Sequence, residues 1–86
     1  MKEIEKQIKA LANARRLSIV KYLKKTKEAS VGDIAEEIKL SFKATSKHLC
    51  ILYAANILEK DQRSLVSYYR LAKLQRPVTK SIIAVL

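Results

Sequence analysis

Residues 30–55 read SVGDIAEEIKLSFKATSKHLCILYAA and contain the pattern that decides the fold. Ser30 followed three residues later by Asp33 is typical of a helix-capping box, in which each residue bonds to the other's amide. A short helix is therefore predicted up to Ile38. Lys39-Leu40-Ser41 then breaks the helical pattern, and its serine provides a fresh N-cap. The stretch predicts two short helices joined by a tight turn.

The second of these helices, predicted over residues 42–55, has two different faces. Apolar or small residues recur at spacings of three and four, as a buried helix face requires, at Thr45, Leu49, Leu52 and Ala55. The opposite face of its N-terminal half carries Phe42, Lys43, Ser46 and Lys47. Asn56 tolerates a left-handed backbone and is expected to end the helix.

Residues 57–71 change from a helical to an alternating pattern. Leu65, Ser67, Tyr69 and Leu71 alternate with Val66, Tyr68 and Arg70, which predicts a strand. A turn near residues 61–64 makes this strand part of a hairpin. Two short helices followed by a hairpin form a helix-turn-helix with a wing.

Three further helices are predicted around this unit. Residues 2–12 and 14–25 place apolar side chains at helical spacing, and Asn13 is expected to cap the second segment. Pro77 suits the first turn of a last helix. The expected fold is mainly α with a small β-hairpin: a winged helix-turn-helix of about five helices and a two-stranded wing, in one domain over residues 1–86.

The charge balance indicates a polyanionic partner. The chain has 18 Lys and Arg against eight Asp and Glu, a net charge of +10. The charge is uneven, since residues 13–29 carry +5 and residues 30–40 carry −2. Nucleic acid is the commonest partner of such a protein, and an anionic membrane surface is the alternative. No apolar run is long enough to span a membrane, so a cytoplasmic location is expected.

The predicted helix that starts after Ser41 favours double-stranded DNA. Lysine binds phosphate or the O6 and N7 atoms of guanine, and serine is a short donor or acceptor. The helix N-terminus adds amide donors for phosphate. An isolated helix with two lysines is more often a solvated surface. Here the adjacent hairpin and the net charge favour DNA binding.

Several segments resemble the ArsR/SmtB-type winged helix-turn-helix transcriptional regulators, in order and at similar spacing across residues 8–71. They are LANARRL (11–17), SIVKYL (18–23), VGDIA (31–35), LS (40–41), SKHLCIL (46–52) and VSYYRL (66–71). The resemblance implies a dimeric repressor that binds an inverted-repeat operator.

The resemblance also implies which residues meet DNA and which meet the second subunit. DNA contacts are expected from the start of the recognition helix and from the wing tip, at Ser41, Phe42, Lys43, Ser46, Lys47, His48 and Arg63. The segments 1–12 and 75–86 are expected to form the homodimer. Their apolar side chains would otherwise be exposed, namely Ile4, Ile8, Leu11, Val78, Ile82, Ile83 and Leu86.

The chain departs from the family pattern at three turns where glycine is usual. Lys39, Asn56 and Ser64 stand at these places. Asparagine adopts a left-handed backbone more readily than lysine or serine. We expect the turns to persist at some energetic cost.

The residues that would support other chemistry are scarce. Neither the helix over residues 30–38 nor the segment 75–86 contains cysteine or histidine, so no metal is expected at either place. No cofactor motif or catalytic grouping stands out, and an enzyme is not expected. Two alternatives remain open: a protein-contact surface built on Cys50, Tyr53 and Ala54, or a regulator that responds to oxidation of Cys50.

Overall fold

The computed structural model describes residues 2–86 and contains five helices and three strands. The elements in chain order are α1 (Lys2–Leu11), α2 (Ala14–Thr26), β1 (Ala29–Ser30), α3 (Val31–Ile38), α4 (Phe42–Ala54), β2 (Leu58–Arg63), β3 (Val66–Leu71) and α5 (Pro77–Ala84). Helices α3 and α4 form the helix-turn-helix, and β2 and β3 form the wing. The predicted winged helix-turn-helix with five helices is therefore confirmed.

Three helices begin with a side-chain cap. The oxygens of Asn13, Ser30 and Ser41 each accept a hydrogen bond, 3.1 Å long, from the amide three residues onward. Each cap stabilises its helix by about 1 kcal/mol. The predicted capping box on α3 is only half formed. Within residues 2–86, the Asp33 carboxylate makes no return bond to the Ser30 amide, because its side chain is one methylene shorter than the glutamate of a complete box.

The three strands form one antiparallel sheet in the order β1-β3-β2. The register pairs Lys60 with Tyr69 in the wing, and Ala29 with Tyr69 on the other edge of β3. Strand β1 was not predicted, because two residues are too few to show alternation. The prediction of Leu65 as a strand residue was wrong: the turn consists of Ser64 and Leu65, and the Leu65 side chain is 94% exposed at the wing tip.

The core lies between α2, α4 and the inner face of the sheet. Its fully buried side chains come from α2, α3, α4 and the start of the wing: Ile19, Val20, Leu23, Ile34, Leu49, Leu52 and Ile57. The predicted apolar face of α4 is confirmed, because Thr45 and Ala55 are buried beside its two leucines. This burial fixes which face of α4 remains outside.

All three turns that lack the usual glycine adopt a left-handed backbone. Lys39, Asn56 and Ser64 have φ values of 57°, 63° and 57°. After Lys39 the Leu40 amide bonds to the Ala35 carbonyl at 3.1 Å, and after Asn56 the Ile57 amide reaches back in the same way. These bonds satisfy the last carbonyls of α3 and α4. The turns persist without glycine, as predicted.

Replacing Lys39 by glycine is expected to stabilise the protein. A left-handed backbone costs a residue with a Cβ roughly 1–2 kcal/mol, whereas glycine loses about 0.5–1 kcal/mol of backbone entropy on folding. Lys39→Gly should therefore raise the free energy of unfolding in urea by about 0.5 kcal/mol. Lys21→Gly, inside α2, is the control and should lower it by about 1 kcal/mol. Equal losses in both variants would contradict the strain at Lys39.

Helices α1 and α5 pack together and keep part of their apolar surface outside. Ile8 is 45% and Val78 is 38% exposed, while Ile4 and Ile82 are half-buried. Leu11 and Ile83 are buried within the protomer's own core. A side chain inside one chain has little surface left to bury against another, so the dimer prediction depends on the apolar side chains that remain outside.

No helix among residues 2–86 combines the length and the apolar character needed to cross a membrane.

Candidate nucleic-acid interface

The N-terminal half of α4 presents a polar surface that is backed by the core. Ser41, Phe42, Lys43 and Lys47 are exposed, and Ser46 and His48 are half-buried beside them. Phe42 is 63% exposed. Thr45 and Leu49 point the other way and have no exposure. The structure thus brings the six predicted α4 residues together at one end of one helix.

A hydrogen bond from α2 fixes the ring of His48. The Arg16 guanidinium lies 3.2 Å from His48 Nδ1, and its Nε donates to the Ala10 carbonyl at 2.6 Å. Arginine has donors and no acceptor, so Nδ1 must accept with its lone pair. A neutral ring then carries its proton on Nε2, and this nitrogen is available as a donor.

The surroundings of His48 favour the neutral ring. Partial burial lowers the pKa of His48 below its ordinary value, and the positive charges of Arg16, Arg15 and Lys47 lower it further. Arg15 comes from the same segment of α2, and its Nη1 donates to the Ile38 carbonyl at 3.3 Å. The bond from Arg16 to His48 was not predicted. The basic character of residues 13–29 was the only related feature in the sequence.

His48 is the single histidine of the chain, so its protonation can be read without assignment ambiguity. We expect ¹⁵N NMR of the ring at pH 7.5 to show the proton on Nε2 and a bare Nδ1. Arg16→Ala should raise the pKa of His48 toward the ordinary value, because it removes a neighbouring positive charge. A proton on Nδ1 in the unmodified protein would contradict the Arg16–His48 bond.

The wing arginine lies where predicted, and its guanidinium already has partners. Arg63 ends β2 beside the wing turn, 2.9 Å from Glu28 and 3.0 Å from Asp61. It also stacks over Tyr68, 4.5 Å from the ring centroid. The hydrogen bond to Glu28 is the main reason that the pKa of Arg63 is raised. Any new anion at Arg63 must therefore compete with two carboxylates.

A second arginine ties the wing to the segment after α2. Arg70 lies 3.4 Å from Glu28 and 3.0 Å from Glu59. Glu59 also accepts a hydrogen bond from the Lys73 amide at 3.1 Å, and this bond is the largest cause of the lowered pKa of Glu59. Glu28 thus joins both wing strands to the rest of the protein, a role that was not predicted.

The apolar patch at the C-terminal half of α4 partly contacts the wing. The Tyr53 ring meets Tyr69 edge-on, with centroids 6.5 Å apart, and the Lys60 ammonium lies 5.7 Å from the Tyr53 centroid. Cys50 and Ala54 are exposed. Packing against the wing therefore accounts for part of the Tyr53 side chain.

A buried polar link joins α1, α4 and α5. The Gln7 side chain donates to the Ala55 carbonyl at 2.9 Å and accepts a hydrogen bond from the Thr79 hydroxyl. Both side chains are buried. The Ala55 carbonyl at the C-terminal end of α4 thus receives a hydrogen bond from α1, one of the two helices predicted to dimerise. One glutamine in an amphipathic helix gives no sequence sign of such a contact.

Across residues 2–86, no group of three or more His, Cys, Asp or Glu side chains converges as metal ligands. The described cysteine is single, and it faces solvent.

Comparison with known proteins places this geometry in a family. The family model described as "Bacterial regulatory protein, arsR family" matches residues 13–60, from the cap of α2 to the middle of β2. The arsenical resistance operon repressor of Bacillus subtilis (strain 168) is 34% identical over 71 residues, which are 83% of this chain and 68% of that protein.

Two solved structures share the fold. HlyU from Vibrio cholerae N16961 has a TM-score of 0.82 at 29% identity, covering 96% of this chain and 86% of its own. The solution structure of the homodimeric winged helix-turn-helix DNA-binding domain Mb0332 from Mycobacterium bovis has a TM-score of 0.82 at 27% identity, covering 98% and 74%. The residues that the family model matches contain the helix-turn-helix and the first half of β2. The chain belongs to the ArsR family of bacterial regulatory proteins.

Proposed function

We propose that this protein is a cytoplasmic transcriptional repressor that binds an inverted-repeat operator in double-stranded DNA as a homodimer. The observation that carries the proposal is the two-faced α4: a polar N-terminal half outside, a fully buried apolar face inside, and a wing beside it. A helix of this kind enters the major groove with its N-terminal residues against the base edges. The Bacillus subtilis relative is named as a repressor, and the Mycobacterium bovis domain is described as homodimeric and DNA-binding.

The side chains at the start of α4 differ in the DNA groups that they are suited to contact. Lys43 and Lys47 are suited to guanine O6 and N7 or to phosphate. His48 offers Nε2–H to a base or phosphate acceptor, and exposed Phe42 is suited to a thymine methyl group. The Ser41 hydroxyl is occupied by the Ala44 amide, so its contribution is to place the start of the helix.

The proposed dimer uses the outer surface of α1 and α5. Ile8 and Val78 are exposed there, with the half-buried side chains of Ile4, Ile82 and Leu86 around them. Pairing by a two-fold axis would bury this surface and place two recognition helices about 34 Å apart, one turn of DNA. The proposed repressor uses no metal, cofactor or catalytic residue.

Selection of bound duplexes from a random pool tests the proposal. The expected product contains two related half-sites arranged as an inverted repeat. Affinity for it should fall by about 10³-fold or more between 50 and 200 mM salt, because bound phosphates release their counterions. Failure to enrich any duplex would contradict the proposed function.

A protein-contact role is the second candidate, because Cys50 and Ala54 are exposed beside the partly packed Tyr53. A pull-down tests this role. It predicts a partner protein that binds the unmodified chain, does not bind the Tyr53→Glu variant and is not displaced by DNA. Alkylation of Cys50 tests the redox alternative. If this alternative holds, alkylation should weaken duplex binding by the unmodified protein and should have no effect on the Cys50→Ser variant.

Release of Arg63 is expected to strengthen DNA binding. Glu28→Gln removes the carboxylate that lies 2.9 Å from the guanidinium, so a phosphate at Arg63 then competes with Asp61 alone. Duplex affinity should rise about threefold, and the dependence on salt should steepen by about one counterion. Glu36→Gln on α3 removes the same charge away from Arg63 and is the control. An equal gain in both variants would show that net charge, and not Arg63, is responsible.

A further inference from the structure

A cleft of about 850 Å³ lies between the outer face of α2, the C-terminal end of α3 and the end of α5. This volume falls within the range of small-molecule sites in proteins, roughly 300–1,000 Å³. The cleft is separate from the exposed face of α4. None of its lining residues is a proposed DNA contact, and Leu86 is the one that also belongs to the proposed dimer surface.

The rim of this α2–α3 cleft is strongly basic. Five lining residues are cationic, and the single acidic lining residue is Glu37; the cations are Arg15, Lys21, Lys24, Lys25 and Lys39. Lys24 is already engaged, since its Nζ donates to the carbonyls of Ile83 and Ala84 at 3.1 and 3.0 Å. Such a group of like charges gains from an anion placed among them.

None of the five cations has a carboxylate partner in the part of the chain that the structure describes, and only Arg15 and Lys24 donate to backbone carbonyls. Within residues 2–86, neither Lys21, Lys25 nor Lys39 forms an ion pair, and all three side chains are exposed. The wing carboxylates Asp61 and Glu59 are paired with Arg63 and Arg70. The cleft therefore offers free ammonium groups.

The inner wall of the cleft is apolar. Tyr22, Ile38 and Leu86 line it and pack against the core from the outside, so each remains partly exposed. A bare inorganic anion would leave this wall in contact with water, whereas an aromatic or alkyl body would cover it. Charge and shape together indicate a ligand with an anionic head and an apolar body.

We propose that the α2–α3 cleft binds an amphipathic organic anion, a carboxylate or sulfonate on an aromatic or alkyl body. The head lies among Lys21, Lys25 and Lys39, and the body covers Tyr22, Ile38 and Leu86. Lys39 is the turn residue before α4, and Leu86 follows α5. An occupied cleft therefore links the recognition helix to the proposed dimer helix and changes duplex affinity. This second effect rests on the proposed function; the binding itself does not.

The test is a titration of the ¹⁵N-labelled protein with 1-naphthoate, followed by amide chemical shifts. We expect saturable shifts confined to α2, the end of α3 and Leu86. The neutral analogue 1-naphthalenemethanol should bind more weakly. Lys21→Gln with Lys25→Gln should raise the dissociation constant about fivefold, as expected for two exposed ion pairs. Lys60→Gln with Lys73→Gln loses the same charge outside the cleft and should change it less than twofold.

Shifts scattered over the whole surface, equal effects of the two double variants, or equal binding of the neutral analogue would each overturn the site. Duplex affinity measured with and without naphthoate tests the link to DNA separately. Saturable binding with unchanged duplex affinity would overturn the link and leave the site standing. Binding by NMR in a protein that enriches no duplex would overturn the proposed function alone.

Discussion

Replacing Lys43 and Lys47 together by alanine is expected to abolish sequence-specific DNA binding without unfolding the protein. Each good side-chain contact to a base contributes about 1–3 kcal/mol of discrimination, so losing two should weaken operator binding about a hundredfold or more. Both side chains are exposed on α4, and alanine is the best helix former. Thermal unfolding should therefore change little. Fluorescence anisotropy with the selected duplex gives the affinity.

A charge-matched control separates reading of bases from general attraction. Lys6→Ala with Lys73→Ala removes the same two positive charges from α1 and from the segment after β3. Its affinity should fall by about tenfold or less, equally for operator and unrelated duplex. Unchanged operator binding in the α4 variant would show that α4 is not the recognition helix.

Replacing Ile8 by glutamate is expected to give a folded monomer that no longer holds its operator. Ile8 is 45% exposed on α1, so the protomer tolerates a carboxylate there. In a dimer the same carboxylate would be buried without a partner, which is strongly unfavourable. A monomer reaches one half-site instead of two and should bind about a hundredfold or more weaker, since the second half-site then adds nothing through effective concentration.

Sedimentation velocity at micromolar concentration measures the first effect, and anisotropy with the operator measures the second. Leu74→Glu is the matched control, because Leu74 is 93% exposed but lies outside α1 and α5. This variant should remain dimeric. A dimeric Ile8→Glu protein, or a monomer of undiminished operator affinity, would contradict the proposed interface.

The local sequence pattern was sufficient to predict where the helices begin and where the turns follow them. A capping oxygen of serine or asparagine bonds to the amide only three residues later, so the local sequence is enough to predict a cap. This is the case at Asn13, Ser30 and Ser41. The left-handed turns at Lys39 and Asn56 could be predicted in the same way, because α3 and α4 must satisfy their last carbonyls. Lys39 and Ser64 adopt that backbone although their residue types do not favour it.

Contacts between elements that are distant in sequence could not be predicted. The Arg16–His48 bond spans 32 residues, and the bond from Gln7 to the Ala55 carbonyl spans 48. The burial of Leu11 and Ile83 inside the protomer could not be predicted for the same reason. A sequence shows that a helix face is apolar, but the packing of α1 and α5 decides which residues the protomer itself buries.

In the candidate site, too, local features could be predicted and contacts between distant elements could not. The sequence was sufficient to locate the six predicted contact residues at the start of α4, since a helix with one apolar face leaves the other face free. The partners of Arg63 depend on how the wing lies against the segment after α2, and they appear only in the folded chain. The α2–α3 cleft likewise forms from three separate elements.

Hydroxyl-radical footprinting of the unmodified protein on its selected duplex tests the central proposal most directly. A dimer that reads DNA through α4 predicts two protected half-sites, related by a two-fold axis and separated by about 10 base pairs from centre to centre. Protection should disappear at both half-sites together in the Lys43→Ala, Lys47→Ala variant. A single asymmetric footprint, or two that persist in this variant, would contradict the account.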